Sequence, residues 1–213
     1  MKRFRVTLLV FCLLLGWLGY TDLSLLLRNR TPQQLSFSEL ESRGATQEWI
    51  SVSGGYQDLN QAINMSGTME IDSFLIPLKR SASSPDNSIW FETRDPQIVE
   101  LLKTYYFNLD TDEQRQHFLA ENSEFFTAQR NVSGMTADNL IADSNSSKLR
   151  DLLQEMQLPV AENVIFISEG KQPAALRGFF FAAMAGIGLL KLLFDLKNRR
   201  RKEPKTVTET VEP

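Results

Sequence analysis

Residues 178–202 read GFFFAAMAGIGLLKLLFDLKNRRRK, and residues 1–20 read MKRFRVTLLVFCLLLGWLGY. Each holds an apolar run beside a cationic cluster. In the first, Lys2, Arg3 and Arg5 precede Val6–Tyr20; in the second, Lys197, Arg199, Arg200, Arg201 and Lys202 follow Phe194. A long apolar run ended by cations is the pattern of a membrane span, because charged side chains must stay at the water boundary. The single charge inside 178–194, Lys191, lies about a turn from the end, where it can reach headgroups. A cleavable signal needs small residues three and one before the cut. Trp17 and Leu18 break that spacing around Gly16 and Gly19, so the first run reads as an uncleaved anchor.

Working inward, the charge changes sign. Thr21–Arg177 holds 13 basic and 22 acidic residues, whereas the segments on either side are net positive. Nucleic-acid binding needs a basic face against phosphate, so the acidic middle argues against it. Cations flanking both spans are expected on the cytoplasmic side. The sequence therefore predicts a two-pass protein with both termini inside and residues 22–177 extracytoplasmic, in a bacterial inner membrane. The expected parts are residues 1–27 as the anchor (span about 6–21), 28–175 as an outer domain, 176–196 as the second span, and 197–213 as a basic, then disordered tail.

Gly178, Ala182 and Gly186 recur every fourth residue. On a helix such small residues leave a smooth stripe where another helix can approach closely, so these three are the helix-packing candidates. The partner helix is either the first span, through Gly16 and Gly19, or one from another protein.

The middle mixes helix and strand signals without strict alternation, which predicts an α+β domain with a small mixed or antiparallel sheet and helices. Leu35–Gly44 reads as a short helix, with Ser36 and Glu39 as a capping box and Gly44 as the stop. Trp49–Val52 reads as a strand turned by Gly54-Gly55, and 58–65 as a helical turn or two. Met69–Ile76 reads as a strand ending near Pro77, and Ile89–Thr93 as its hairpin partner across the loop Ser83–Asn87. Asp95-Pro96 starts one helix and Thr111–Gln114 another, which runs to about Glu121. Phe125–Asn131 reads as a strand, 146–156 as a helix and Val164–Ser168 as a last strand.

The segment Leu35-Ser36-Phe37-Ser38-Glu39-Leu40-Glu41-Ser42-Arg43-Gly44 resembles the opening of the extracytoplasmic domain of bacterial membrane-anchored ATP-dependent zinc proteases. That domain also lies between two spans. The resemblance covers ten residues, and no nucleotide-binding or protease domain follows, so it implies placement beside the membrane and no activity.

Catalytic signals are sparse. One cysteine, Cys12, lies in the first apolar run, and one histidine, His117, lies among polar residues, too few for a structural zinc site. No phosphate-binding loop, dinucleotide fingerprint, nucleophile elbow or zincin motif occurs. Ser168-Glu169-Gly170-Lys171 fits S-x-x-K, but Gly170 and Pro173 oppose the helix that normally joins such a pair. Asp110, Asp112 and Glu113 cluster where helix-start carboxylates are favoured. Phe179, Phe180 and Phe181 suit an interfacial anchor. Asn29, Asn64, Asn131 and Asn145 begin glycan sequons.

The sequence thus predicts a non-enzymatic interaction or assembly module for a membrane or envelope complex, with no cofactor and no metal. Expected partners are the lipid bilayer and a membrane or envelope protein, a second copy included, and no nucleic acid. The alternative is a membrane-bound hydrolase with a carboxylate or Ser/Lys site.

Overall fold

The computed structural model describes residues 2–65, 72–85, 87–136 and 164–202. The chain divides into two units, Met1–Arg28 with Pro173–Pro213, and Asn29–Gln172. The first contains two long helices, α1 (Lys2–Arg28) and α5 (Ala175–Lys202). The second is mixed α+β. Its strands are β1 (Gln33–Ser36), β2 (Trp49–Gln57), β3 (Ile63–Asn64), β4 (Phe74–Lys79), β5 (Ile89–Thr93), β6 (Gln129–Thr136) and β7 (Ile165–Glu169), and its helices are α2 (Phe37–Arg43), α3 (Pro96–Phe107) and α4 (Asp112–Phe126). The expected helix at 146–156 lies outside the described residues.

The strands form one sheet in the order β1-β2-β6-β7-β5-β4-β3, and β2 also pairs with β4. That extra pairing closes five strands into a ring. Numbered along the chain, β2, β4, β5, β6 and β7 stand in the order one-two-three-five-four-one. Every neighbouring pair is antiparallel except the third and fifth, β5 and β7, which are parallel. This matches in order and sense the small Greek-key barrels of the OB type. Such an architecture carries no function by itself. The expectation of a small mixed sheet holds in kind, but the sheet is curled on itself.

The closure depends on β2. Its first half, Ile50–Ser53, pairs with β1, and its end, Tyr56-Gln57, pairs with β4 on the same edge. To serve both, the strand must bend, and its register against β6 shifts between Val52 and Gly55. Gly54 sits there at φ 80°, a conformation that costs glycine little. A side chain at Gly55 would run into Leu78. Gly54-Gly55 therefore bends a strand, where the sequence suggested a turn that ends one.

Pro77 likewise lies inside β4, although prolines usually stop strands. Its carbonyl accepts from the Asp58 N–H at 3.1 Å, so its backbone polar groups face the edge that β4 shares with β3 and β2. Leu75 pairs with β3 and Leu78 with β2, which leaves Pro77 in the gap between the two ladders. The missing N–H is needed by neither.

Alternation along the strands fills the interior. Ile50, Val52, Phe74, Ile76, Leu78, Ile89, Phe91, Val132 and Ile167 are all buried and join Phe37 and Leu40 of α2 and Ile98 and Leu102 of α3 in one core. The opposite faces of β4, β5 and β7 are buried too: Leu75, Trp90 and Phe166 make a second cluster with Ile63 and Val164.

Local signals fix the helix starts. Ser36 caps α2 and Glu39 returns a bond to the Ser36 N–H at 2.8 Å, which holds the Glu39 carboxyl below its usual range. Leu35 and Ser36 belong to β1, so the helix expected from Leu35 begins at Phe37. Thr111 and Gln114 form the second capping box, and α4 runs past Glu121 to Phe126. Phe126 is buried against Tyr105 and Phe118, so the Phe pair that reads as strand ends a helix instead. Residues 58–65 yield a 3-10 turn at Leu59–Gln61 and then the short β3.

Candidate functional site

The helix pair of the first unit packs with small residues inside and large ones outside. Cys12 and Gly19 of α1 are buried, and so are Gly178, Ala185 and Leu192 of α5. Each set is spaced by seven, the repeat of helices that run alongside each other at a shallow angle. A Cβ at Gly19 would lie 2.8 Å from the backbone N of Ala182, and one at Gly178 would lie 2.9 Å from Asp22 Cβ. One at Gly188 would run into Cys12 Sγ, and one at Gly16 would sit 3.8 Å from Ala185 Cβ. These contacts make the helices antiparallel. Of the three candidate positions, Gly178 and Ala182 meet α1, while Gly186 has open space around it.

Around this seam the surface is apolar: Phe11, Trp17, Phe179, Phe180, Ile187, Leu193 and Phe194 are all more than half exposed. Arg5–Arg28 and Ala175–Asn198, each 24 residues, are long and apolar enough to cross a membrane. At 1.5 Å per residue each reaches about 36 Å, beyond the ~30 Å hydrocarbon layer. Near one end of the pair, Arg177 forks onto Asp22, Nε to Oδ2 at 2.7 Å and Nη2 to Oδ1 at 2.8 Å.

In the barrel unit a polar cluster centres on Arg130 of β6. Its guanidinium donates to Asp95 Oδ2 at 2.8 Å and to both oxygens of Glu169, at 3.0 and 3.1 Å. It also lies 5.8 Å from the centre of the Phe91 ring. Asp95 uses its other oxygen to cap α3, accepting from the Gln97 N–H. The bond from Arg130 holds the Asp95 carboxyl below its ordinary range against the opposing effect of burial, and the Gln97 N–H helps. Burial lowers the Arg130 pKa, but its bonds to Asp95 and Glu169 raise it by more. The cluster ties the start of α3 to β6 and the end of β7. Nothing in the sequence joins three residues so far apart, so sequence reading could not find it.

Ser168 and Lys171 do meet. Lys171 Nζ lies 3.3 Å from Ser168 Oγ, and Ser168 Oγ lies 3.3 Å from Glu92 Oε2. A turn does what a helix would have done: the Lys171 N–H reaches the Ser168 carbonyl, and Gly170 takes φ 76°. A lysine that serves as the base for a serine is sheltered from water, in an apolar pocket or beside another cation, whereas Lys171 lies open to solvent. Incubation with a fluorophosphonate probe is accordingly expected to leave Ser168 unlabelled. Labelling of Ser168 that disappears in Lys171→Ala would instead make this a working dyad.

His117 is exposed on α4, 3.4 Å from Glu121. With Leu109, Glu113, Gln114 and Phe118 these two line an open cleft of about 450 Å³. Asp112 and Glu113 stand in the first turn of α4. Among the described residues no group of three or more His, Cys, Asp or Glu side chains is placed to hold a metal ion. Asn29 is fully buried: its side chain donates to Glu48 Oε2 at 2.7 Å and accepts from the Glu48 and Trp49 N–H groups, which closes it to glycans. Asn64 and Asn131 are exposed, and Asn145 lies outside the described residues.

No protein-family model, curated protein or solved structure matches the chain.

Proposed function

We propose that the chain is a two-pass membrane protein that presents its barrel domain on the outer face of a bacterial inner membrane, as a non-enzymatic interaction or assembly module for an envelope complex. The observation that carries the membrane part is the reversed packing of α1 and α5. Small residues fill the seam, and bulky apolar ones cover the outside, an arrangement suited to lipid and costly in water. Basic residues flank the same end of both helices, before Val6 and after Phe194, which supports an orientation with both termini in the cytoplasm. The module part is supported by a domain in which the Arg130 cluster is bonded internally and the Ser168–Lys171 contact is open to water.

The hydrolase reading has one observation in its favour, the 3.3 Å approach of Lys171 to Ser168. The exposure of Lys171 weighs against it.

Reporter insertion tests the placement. A phosphatase reporter that works only outside the cytoplasm is expected to be active at Ser83-Ser84, between β4 and β5, and inactive after Pro213. The reverse pattern would sink the proposed orientation.

A further inference from the structure

The cleft on α4 differs in character from the rest of the barrel unit. Phe126 is the only buried residue of α4, so most of this fifteen-residue helix faces outward. Beside it, Tyr106 and Phe107 at the end of α3 are exposed, Phe107 by 58%. Leu109 and Phe118 are half-buried and give the cleft an apolar floor, while Glu113 and Glu121 line it with carboxylates. From Phe107 to Phe126 the chain carries five carboxylates, Asp110, Asp112, Glu113, Glu121 and Glu124, against one arginine. That arginine, Arg115, is engaged by the Leu109 carbonyl at 3.2 Å and by Asp112 at 3.5 Å.

We propose that this cleft docks a short basic segment of a partner protein, one with an apolar side chain between lysines or arginines. Charge selects the occupant. An apolar floor alone would accept any greasy side chain, but carboxylates beside it repel acidic segments and attract cationic ones. Glu113 and Glu121 lie eight residues apart on α4, so they stand about two turns, roughly 12 Å, from each other along the helix. That spacing suits cations on both sides of a central apolar residue rather than one isolated lysine. The inference rests on the reading of the domain as an interaction module and names the chemistry of its partner.

The test uses the full chain in detergent micelles and a fluorescein-labelled peptide, KKLFKK, followed by anisotropy. Binding is expected, and Glu113→Lys with Glu121→Lys should weaken it by about tenfold or more. Both side chains are exposed, so folding should be retained, which circular dichroism checks. Asp72→Lys with Glu100→Lys, which changes the net charge equally at exposed positions off the cleft, should change binding by no more than about twofold. The peptides EELFEE and KKSSKK should bind poorly, the first for charge and the second for its lost anchor. Equal weakening by both double variants, or equal binding of KKSSKK, would reduce the effect to general attraction and overturn the site. Self-association of the wild type that Glu113→Lys with Glu121→Lys abolishes, with no peptide binding, would overturn the partner in favour of a second copy. The reporter result is independent: an outward domain that ignores KKLFKK overturns the docking site and leaves the membrane placement standing.

Discussion

Arg130→Met is expected to lower the unfolding free energy of the barrel by about 2–3 kcal/mol. The variant keeps much of the side-chain volume but leaves Asp95 and Glu169 facing each other without their cation. Removing one member of a fully buried ion pair costs about 3–5 kcal/mol. These carboxylates retain some contact with water, at 29% and 17% side-chain exposure, which reduces the figure. The pH dependence follows from the lowered Asp95 pKa. A depressed carboxyl contributes stability that is fully present above its unfolded value, near pH 4, and is lost as the pH falls through the lower folded value. Wild type should therefore lose stability below about pH 4 more steeply than Arg130→Met. Urea denaturation of the full chain in micelles, followed by tryptophan fluorescence in a Trp17→Phe background so that the signal comes from Trp49 and Trp90 of the barrel, measures both. An unchanged midpoint in Arg130→Met would show that the cluster contributes nothing net.

The second large effect belongs to the helix pair. In a Cys12→Ala background, cysteines at Gly16 and Ala185 should form a disulfide with mild oxidant, since the Cβ separation of 3.8 Å lies in the normal range. Adding Gly19→Leu should slow that crosslink by about tenfold, because even the first carbon of the new side chain would meet the Ala182 backbone. Adding Gly186→Leu should leave it nearly unchanged, since a Cβ added there meets no atom of α1 within 4 Å. If Gly19→Leu crosslinks as readily as its parent, the helices are not held together by close approach.

The contrast between those two glycines shows how far the sequence could be read. Two steps of four residues turn a helix through 800°, so Gly186 ends about 80° from Gly178; seven residues leave only about 20°. A repeat of four finds Gly178 and Ala182 and then drifts, whereas the true seam steps to Ala185. The neighbours of α1 decide this, and they are known only once the two helices are paired. Within the barrel, helix starts were legible because each is written within four residues: Ser36 with Glu39, Asp95 with Pro96, Thr111 with Gln114. The strands Trp49–Val52, Ile89–Thr93 and Val164–Ser168 were visible from their β-branched and aromatic runs. The bend at Gly54-Gly55 and the tolerance of Pro77 depend on which strands lie alongside, so local signals pointed to ends where the strands continue. The cleft was less legible: Glu113 stood out beside Asp110 and Asp112 at a helix start, but Glu121 did not, and the apolar floor from Leu109 and Phe118 emerges only when α4 folds back beside the end of α3.

The place of β7 in the ring has a consequence for biosynthesis. It lies between β5 and β6, yet among the described strands it is made last, and α5 follows it almost at once. Until Glu169 has emerged, β5 and β6 each present an unpaired edge, with Phe91 and Val132 uncovered between them. Exposed strand edges invite pairing with other chains. A nascent chain stalled just before β7 should thus depend on chaperones or aggregate, and release of only a few more residues should end that vulnerability in one step.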